Sequence, residues 1–148
     1  MESPLITVIT VSYNAASSIE QTIISVINQT YPHIEYIIID GGSTDNTVDI
    51  IKKYADKISY WVSEPDKGIY DAMNKGIKIA AGKYTLFMNV NDTFYASSSI
   101  AEVCNLMEKY DSQHDAYYGN VAVSNEYGLY IMLSLIHISE PTRHWAIS

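Results

Sequence analysis

Residues 34–47 read IEYIIIDGGSTDNT, and the reading of this stretch decides the fold. Ile34 to Ile39 is a short, nearly continuous apolar run rich in β-branched residues, the pattern of a strand buried on both faces. It runs directly into Asp40-Gly41-Gly42-Ser43-Thr44-Asp45, a turn whose Ser43 and Thr44 can cap a following helix. Val48, Ile51 and Tyr54 or Ala55 mark the inner face of that helix.

The same unit recurs on either side. Upstream, Leu5 to Val11 (LITVITV) is a second buried-strand pattern, ended by Ser12-Tyr13-Asn14. Ser17 and Glu20 stand at capping-box spacing, and Ile19, Ile23, Val26 and Ile27 share a face, so a helix is expected to run to Gln29 or Thr30 before Pro32. Downstream, Ile58 to Val62 reads as a strand, Ser63 to Gly68 as a loop, and Ile69, Ala72, Met73, Gly76 and Ala80 as one face of a helix stopped at Gly82. Tyr84 to Met88 is a further strand, followed by Asn89-Val90-Asn91-Asp92. Ser99 and Glu102 repeat the capping-box spacing ahead of a stripe at Ile100, Val103, Leu106, Met107 and Tyr110. Ala116 to Val123, the turn Asn125 to Gly128, and Leu129 onward suggest a hairpin. Strand and helix alternate with short connections, which predicts an α/β fold with a mostly parallel sheet. Ligands of such sheets bind beyond the carboxyl ends of the strands, where four polar loops fall here: 12–14, 40–45, 63–68 and 89–92.

Composition sets outer bounds. The chain has 148 residues, 47% hydrophobic and 18% charged, enough for one domain with its own core. A net charge of −8 opposes non-specific binding to nucleic acid or anionic lipid, so a bound phosphate needs a metal, a lysine or backbone N–H groups. Cys104 is the single cysteine, which excludes an intramolecular disulfide and reads as a small buried apolar residue in a reducing, cytoplasmic setting. The start lacks a basic n-region, and no stretch approaches the roughly 20 apolar residues of a membrane span.

The loops carry the chemistry. Asp92 follows a rigid strand, and a single carboxylate there can tie Mg²⁺ to a diphosphate; the same residues also suit an Asx turn leading into the helix near Ser99. Asp40 with Gly41 and Gly42 can offer a carboxylate to a nucleotide's base or ribose, or simply make a tight turn. Tyr13 can stack on a base or pack at the strand end. Lys67 and Lys75 flank the start of the third helix, where an anion is favoured, and each also reads as a solvated lysine. No Walker loop or GxGxxG is present, the four histidines lack metal-ligand spacing, and no nucleophile elbow is found.

Taken together, TVSYN at 10–14, IEYIIIDGGSTDNT at 34–47, SEPDKGIYDAMNKGI at 63–77 and LFMNVND at 86–92 resemble the family 2 glycosyltransferases. The resemblance covers about residues 4 to 131 and is nearest to the branch acting in bacterial surface-polysaccharide assembly. It implies the Rossmann-like GT-A fold, a nucleoside diphosphate sugar donor, and transfer to a hydroxyl of a saccharide or lipid-linked acceptor, with cytoplasmic location and peripheral membrane association at the inner face. By this likeness Tyr13 and Asp40 contact the donor's base, Asn91 lies near the ribose, and Asp92 ligates Mg²⁺ or Mn²⁺. Asp66, Asp71 and Asn74, with Lys67 beside them, line the donor side or hold their loop in place. Many relatives carry a second Asp where Gly41 stands, an Arg where Met73 stands, and acids where Asn89 and Asn91 stand.

Residues 133–143 (LSLIHISEPTR) resemble translated sequencing adapter, and the only Arg of the chain lies among them, at 143. Residues 1–132 are therefore expected to be the native, donor-binding portion and 133–148 a foreign tail, with the usual catalytic base lying outside this sequence. The alternative reading is a nucleotide-binding fragment without turnover. Nucleotidyl transfer is disfavoured, because Ser12 to Ala16 lacks the Gly- and Lys/Arg-rich first loop of those enzymes.

Overall fold

The computed structural model describes residues 3–109, 116–125 and 128–138, with side chains described to Glu108. Its elements are β1 (Ile6–Ser12), α1 (Ile19–Ile27), β2 (Ile34–Asp40), α2 (Thr47–Lys53), a 3₁₀ turn (Ala55–Lys57), β3 (Tyr60–Ser63), α3 (Ile69–Ile79), β4 (Tyr84–Phe87), α4 (Ser99–Lys109), β5 (Ala116–Asn125) and β6 (Gly128–Ile138). One six-stranded sheet has the order β3-β2-β1-β4-β6-β5. The first four strands are parallel; β6 joins β4 antiparallel and pairs with β5 as the expected hairpin, Asn125 opposite Gly128.

Period-two alternation on β1 builds two cores. Ile6 and Val8 face a layer holding Ile19, Ile23 and Val26 of α1, Ile51 of α2, and Ile100, Cys104 and Met107 of α4. Ile9 and Val11 face the opposite layer with Ile37, Ile39 and Ala72 of α3. Every residue of β1 is buried, as a strand covered on both sides must be. Each such aliphatic side chain withdrawn from water contributes about 1.5–3 kcal/mol. Among the described residues no helix is long and apolar enough to cross a membrane.

α3 and α4 begin at Ile69 and Ser99, as read from the sequence, whereas the caps of α1, α2 and α4 differ from that reading. α1 begins at Ile19, and the Ala15 carbonyl accepts the N–H groups of both Ser18 and Ile19. Glu20 makes no capping box with Ser17, because its carboxylate accepts Lys53 Nζ at 2.9 Å and the Tyr54 hydroxyl at 2.6 Å and so ties α1 to α2. Ser43 and Thr44 do not cap α2: Asp45 accepts the Thr47 N–H at 2.9 Å, while Ser43 and Thr44 turn back toward Asp40 and Asn14. At α4 the Ser99 hydroxyl accepts the Ala96 N–H, and Glu102 takes the Ser98 hydroxyl. The inner face of α4 runs through Ile100, Cys104 and Met107, leaving Leu106 52% exposed, and Ile69 of α3 is likewise exposed. Residues 133–138 form the distal half of β6. The remainder of the stretch read as a foreign tail lies outside the described residues.

Candidate functional site

The parallel register places Ser12, Asp40 and Ser63, the last residues of β1, β2 and β3, in one row across the sheet. Asp40 sits in the middle with no exposed surface. Its Oδ1 accepts the hydroxyls of Ser12 (2.7 Å) and Ser43 (2.6 Å); its Oδ2 accepts the Ser63 hydroxyl (2.7 Å) and the N–H groups of Ser43 (2.8 Å) and Gly42 (3.2 Å). Burial alone would raise the Asp40 pKa, but the bonds from Ser43, Ser63 and Ser12 outweigh it and hold the carboxyl below its ordinary value. Five donors exceed the roughly four lone-pair sites of a carboxylate. Asp40 therefore clasps three strand ends together and is turned away from solvent. The sequence reading placed Ser12 and Ser63 in the polar loops and Ser43 at a helix cap but missed their bonds to Asp40, for which the serines directly ending two apolar runs were the available signal.

The loop after β1 is laced to the loop after β2. Asn14, at φ 47°, accepts the Thr44 N–H through its side chain and donates its own N–H to Ser43 Oγ. The N–H groups of Ala15 and Ala16 go to Thr47 Oγ1 and Asp45 Oδ2. Tyr13 stands out of this lattice, 64% exposed, so packing does not account for its position.

After β3, the 63–68 loop is stapled to α3. Asp71 accepts the Lys67 N–H at 3.0 Å, Asp66 Oδ1 accepts the Gly68 N–H at 2.9 Å, and Lys75 Nζ lies 3.3 Å from Glu64 and 4.0 Å from Asp71. Lys75 is thus engaged by acids, whereas the Lys67 side chain is exposed. Asp71 holds the loop, and Asn74 is half-buried one turn further along α3.

After β4, the Asp92 N–H donates to the Asn89 carbonyl at 3.1 Å, closing a β-turn with Asn91 at φ 75°. Positive φ at the third position is the requirement of a type II turn, which Asn tolerates well. Helix α1 and the turn after it anchor the segment: buried Thr22 donates its hydroxyl to the Asp92 carbonyl (2.8 Å), Ser25 Oγ accepts the Phe94 N–H (2.8 Å), and Gln29, just past the helix, bonds the Ala96 carbonyl and the Ile100 N–H. Asn91 and Asp92 themselves are exposed. The Asp92 carboxylate has no hydrogen-bond partner among the described residues, so its hard oxygens are available to a divalent cation. No cluster of three or more His, Cys, Asp or Glu among those residues forms a metal cage. The donor set fits an ion completed by phosphates and water rather than one enclosed by protein.

The family described as Glycosyl transferase family 2 matches residues 7–144. A PGL/p-HBAD biosynthesis glycosyltransferase of Mycobacterium bovis is 32% identical over 124 residues, covering 82% of this chain and 48% of that protein. TuaG of Bacillus subtilis, provisionally named for teichuronic acid biosynthesis, is 38% identical over 109 residues, covering 72% of this chain and 43% of its own. The chain thus spans about half the length of these relatives. Among solved structures, the mannosyltransferase PcManGT of Pyrobaculum calidifontis, crystallised with GDP-Man and Mn²⁺, superposes with a TM-score of 0.69 at 24% identity, covering 78% of this chain and 35% of that one. The expected GT-A arrangement is the one observed.

Proposed function

The chain belongs to glycosyl transferase family 2, and from that membership we propose that it forms the donor-binding part of an enzyme moving a sugar from a nucleoside diphosphate to an acceptor hydroxyl. The supporting observation is the gathering, past the carboxyl ends of four neighbouring parallel strands, of an exposed aromatic ring (Tyr13), a loop (Asp66, Lys67) stapled to the first turns of α3 (Asp71, Asn74), and an anchored carboxylate without a partner among the described residues (Asp92). Tyr13 stacks on the base, Asn91 approaches the ribose, and Asp92 faces the diphosphate. Asp40 acts on the donor through the loops it clasps. Asp92 would hold Mg²⁺ or Mn²⁺, which supplies neutralisation of the charge on the departing diphosphate.

The acceptor in this reading is a saccharide or lipid-linked hydroxyl of bacterial surface polysaccharide or glycolipid assembly, met at the cytoplasmic face of the membrane. The names of the mycobacterial and Bacillus relatives support that class. Mn²⁺ paramagnetic resonance tests the donor site: a single carboxylate binds the ion weakly and the nucleotide chelates part of it unaided, so protein and UDP or GDP together are expected to lower the free-Mn²⁺ signal beyond the sum of their separate effects. A signal no lower than nucleotide and protein give separately, with both UDP and GDP, contradicts the reading. Turnover, as donor hydrolysis or transfer, separates an active enzyme from a nucleotide-binding module.

A further inference from the structure

We propose that Thr22, Ser25 and Gln29, a polar stripe on α1 and the turn after it, are positioning residues that hold the Asp92 carboxylate in place for a divalent ion without touching ion or nucleotide. The inference rests on the metal–diphosphate reading above. Spacings of three and four put the three residues on one side of the helix. Thr22 has no exposed surface, and a buried hydroxyl costs stability unless it is bonded. Its partner is the carbonyl of Asp92, 70 residues later, at 2.8 Å. Ser25 Oγ accepts the Phe94 N–H (2.8 Å), Gln29 Nε2 donates to the Ala96 carbonyl (2.8 Å), and Gln29 Oε1 accepts the Ile100 N–H (3.1 Å). The Thr30 N–H adds a bond to the Ser97 carbonyl at 2.8 Å.

The segment from Asp92 to Ser98 is neither helix nor strand, so its course depends on bonds to its neighbours. The stripe supplies a rung at every second residue of that segment, at 92, 94 and 96. The two tracks keep pace, because Thr22 to Gln29 covers about 10 Å at the helical rise and Asp92 to Ala96 about 13 Å when extended. At Asp92 the hold is most complete. Its N–H is bonded to the Asn89 carbonyl and its own carbonyl to Thr22, and only the carboxylate is left without a partner among the described residues. Gln29 reaches further: its amide bridges a carbonyl of the segment and an N–H in the first turn of α4, where a helix has no internal acceptors. One side chain therefore ties the end of the segment to α4. An ion held by a single carboxylate and completed by phosphates and water is bound weakly by the protein. Fixing the backbone of that carboxylate beforehand removes an ordering cost from the bound state.

Thr22→Val keeps the shape of the side chain and removes the hydroxyl, whereas Thr22→Ser keeps the hydroxyl and removes a methyl. Gln29→Met keeps the length and removes both amide bonds. Ile51→Val, in the same core but off the stripe, supplies a loss of stability without a lost rung. Calorimetry in Mn²⁺ uses UDP or GDP, whichever the wild-type chain binds more tightly, at a temperature where thermal unfolding shows each variant folded. Thr22→Val and Gln29→Met are expected to weaken the nucleotide by about three- to ten-fold, the range of one lost hydrogen bond. Thr22→Ser should restore most of the affinity, and Ile51→Val should bind as wild type does. If Gln29→Met does not fold, Ser25→Ala takes its place with the same expectation. Wild-type affinity in either folded stripe variant overturns the inference and leaves the nucleotide reading standing. So does a loss in Ile51→Val equal to that in Thr22→Val, or Thr22→Ser binding no tighter than Thr22→Val, since affinity then follows stability rather than the bond to Asp92. Failure of the wild-type chain to bind UDP or GDP at all overturns both.

Discussion

Asp40 ends a buried strand and takes hydrogen bonds from three serines and two backbone N–H groups, so its charge is held by the loops rather than by water. Although burial opposes ionisation, these bonds hold its folded-state pKa below the ordinary carboxylate value. A depressed carboxylate stabilises the fold fully above its unfolded value and loses that contribution as pH falls through the folded value. Asp40→Asn is therefore expected to cost about 2–4 kcal/mol at pH 7. In urea unfolding series, the gap between wild type and variant should shrink as pH drops below about 4; Asp45 and Glu20, also depressed, titrate in both proteins. A gap that stays constant to pH 2.5 contradicts the clasp. Asn91 gives a second test. At φ 75°, Asn91→Ala should cost about 1–2 kcal/mol, whereas Asn91→Gly should unfold like wild type and weaken donor binding alone. The motif position of Asp40 was legible in the sequence. Its saturation was not, because that depends on three strand ends falling in register.

The elements were legible wherever period and punctuation agreed. β1, β2 and the β5–β6 hairpin fall within a residue or two of their expected places, because β-branched runs bounded by turn residues have few alternatives. The capping contacts were not, although α3 and α4 begin at Ile69 and Ser99 as read, because Glu20 and Glu102 found partners on α2 and Ser98 that no local pattern announces. Two contacts between elements invite mutation. A Cβ at Gly76 of α3 would lie 2.7 Å from Ile9 Cγ2 of β1. Gly76→Ala should therefore destabilise by about 1–3 kcal/mol in thermal unfolding despite the helix propensity it gains. Thr22→Val removes the hydroxyl that α1 donates to the Asp92 carbonyl. It should cost about 1 kcal/mol in stability and lower Mn²⁺–UDP affinity, with metal-free stability of Asp92→Ala unaffected as the control.

On the scale of the molecule, the four parallel strands β3-β2-β1-β4 bring every proposed donor residue to one edge, with α1, α2 and α4 on one face and α3 on the other. That much followed from the alternation of strand and helix, since right-handed crossovers leave the loops after each strand on the same side. The acceptor side did not follow, because the chain matches about half the length of its relatives and acceptor choice depends on pocket shape rather than on motifs. The account stands on Asp92 joining protein to diphosphate through a divalent ion. Calorimetric titration of UDP and GDP into the wild-type chain and Asp92→Ala, each with Mn²⁺ and with a chelator, tests this most directly. Binding by wild type only in Mn²⁺, lost in Asp92→Ala with no change in thermal unfolding, is the result expected; equal binding in chelator, or full retention in Asp92→Ala, contradicts it.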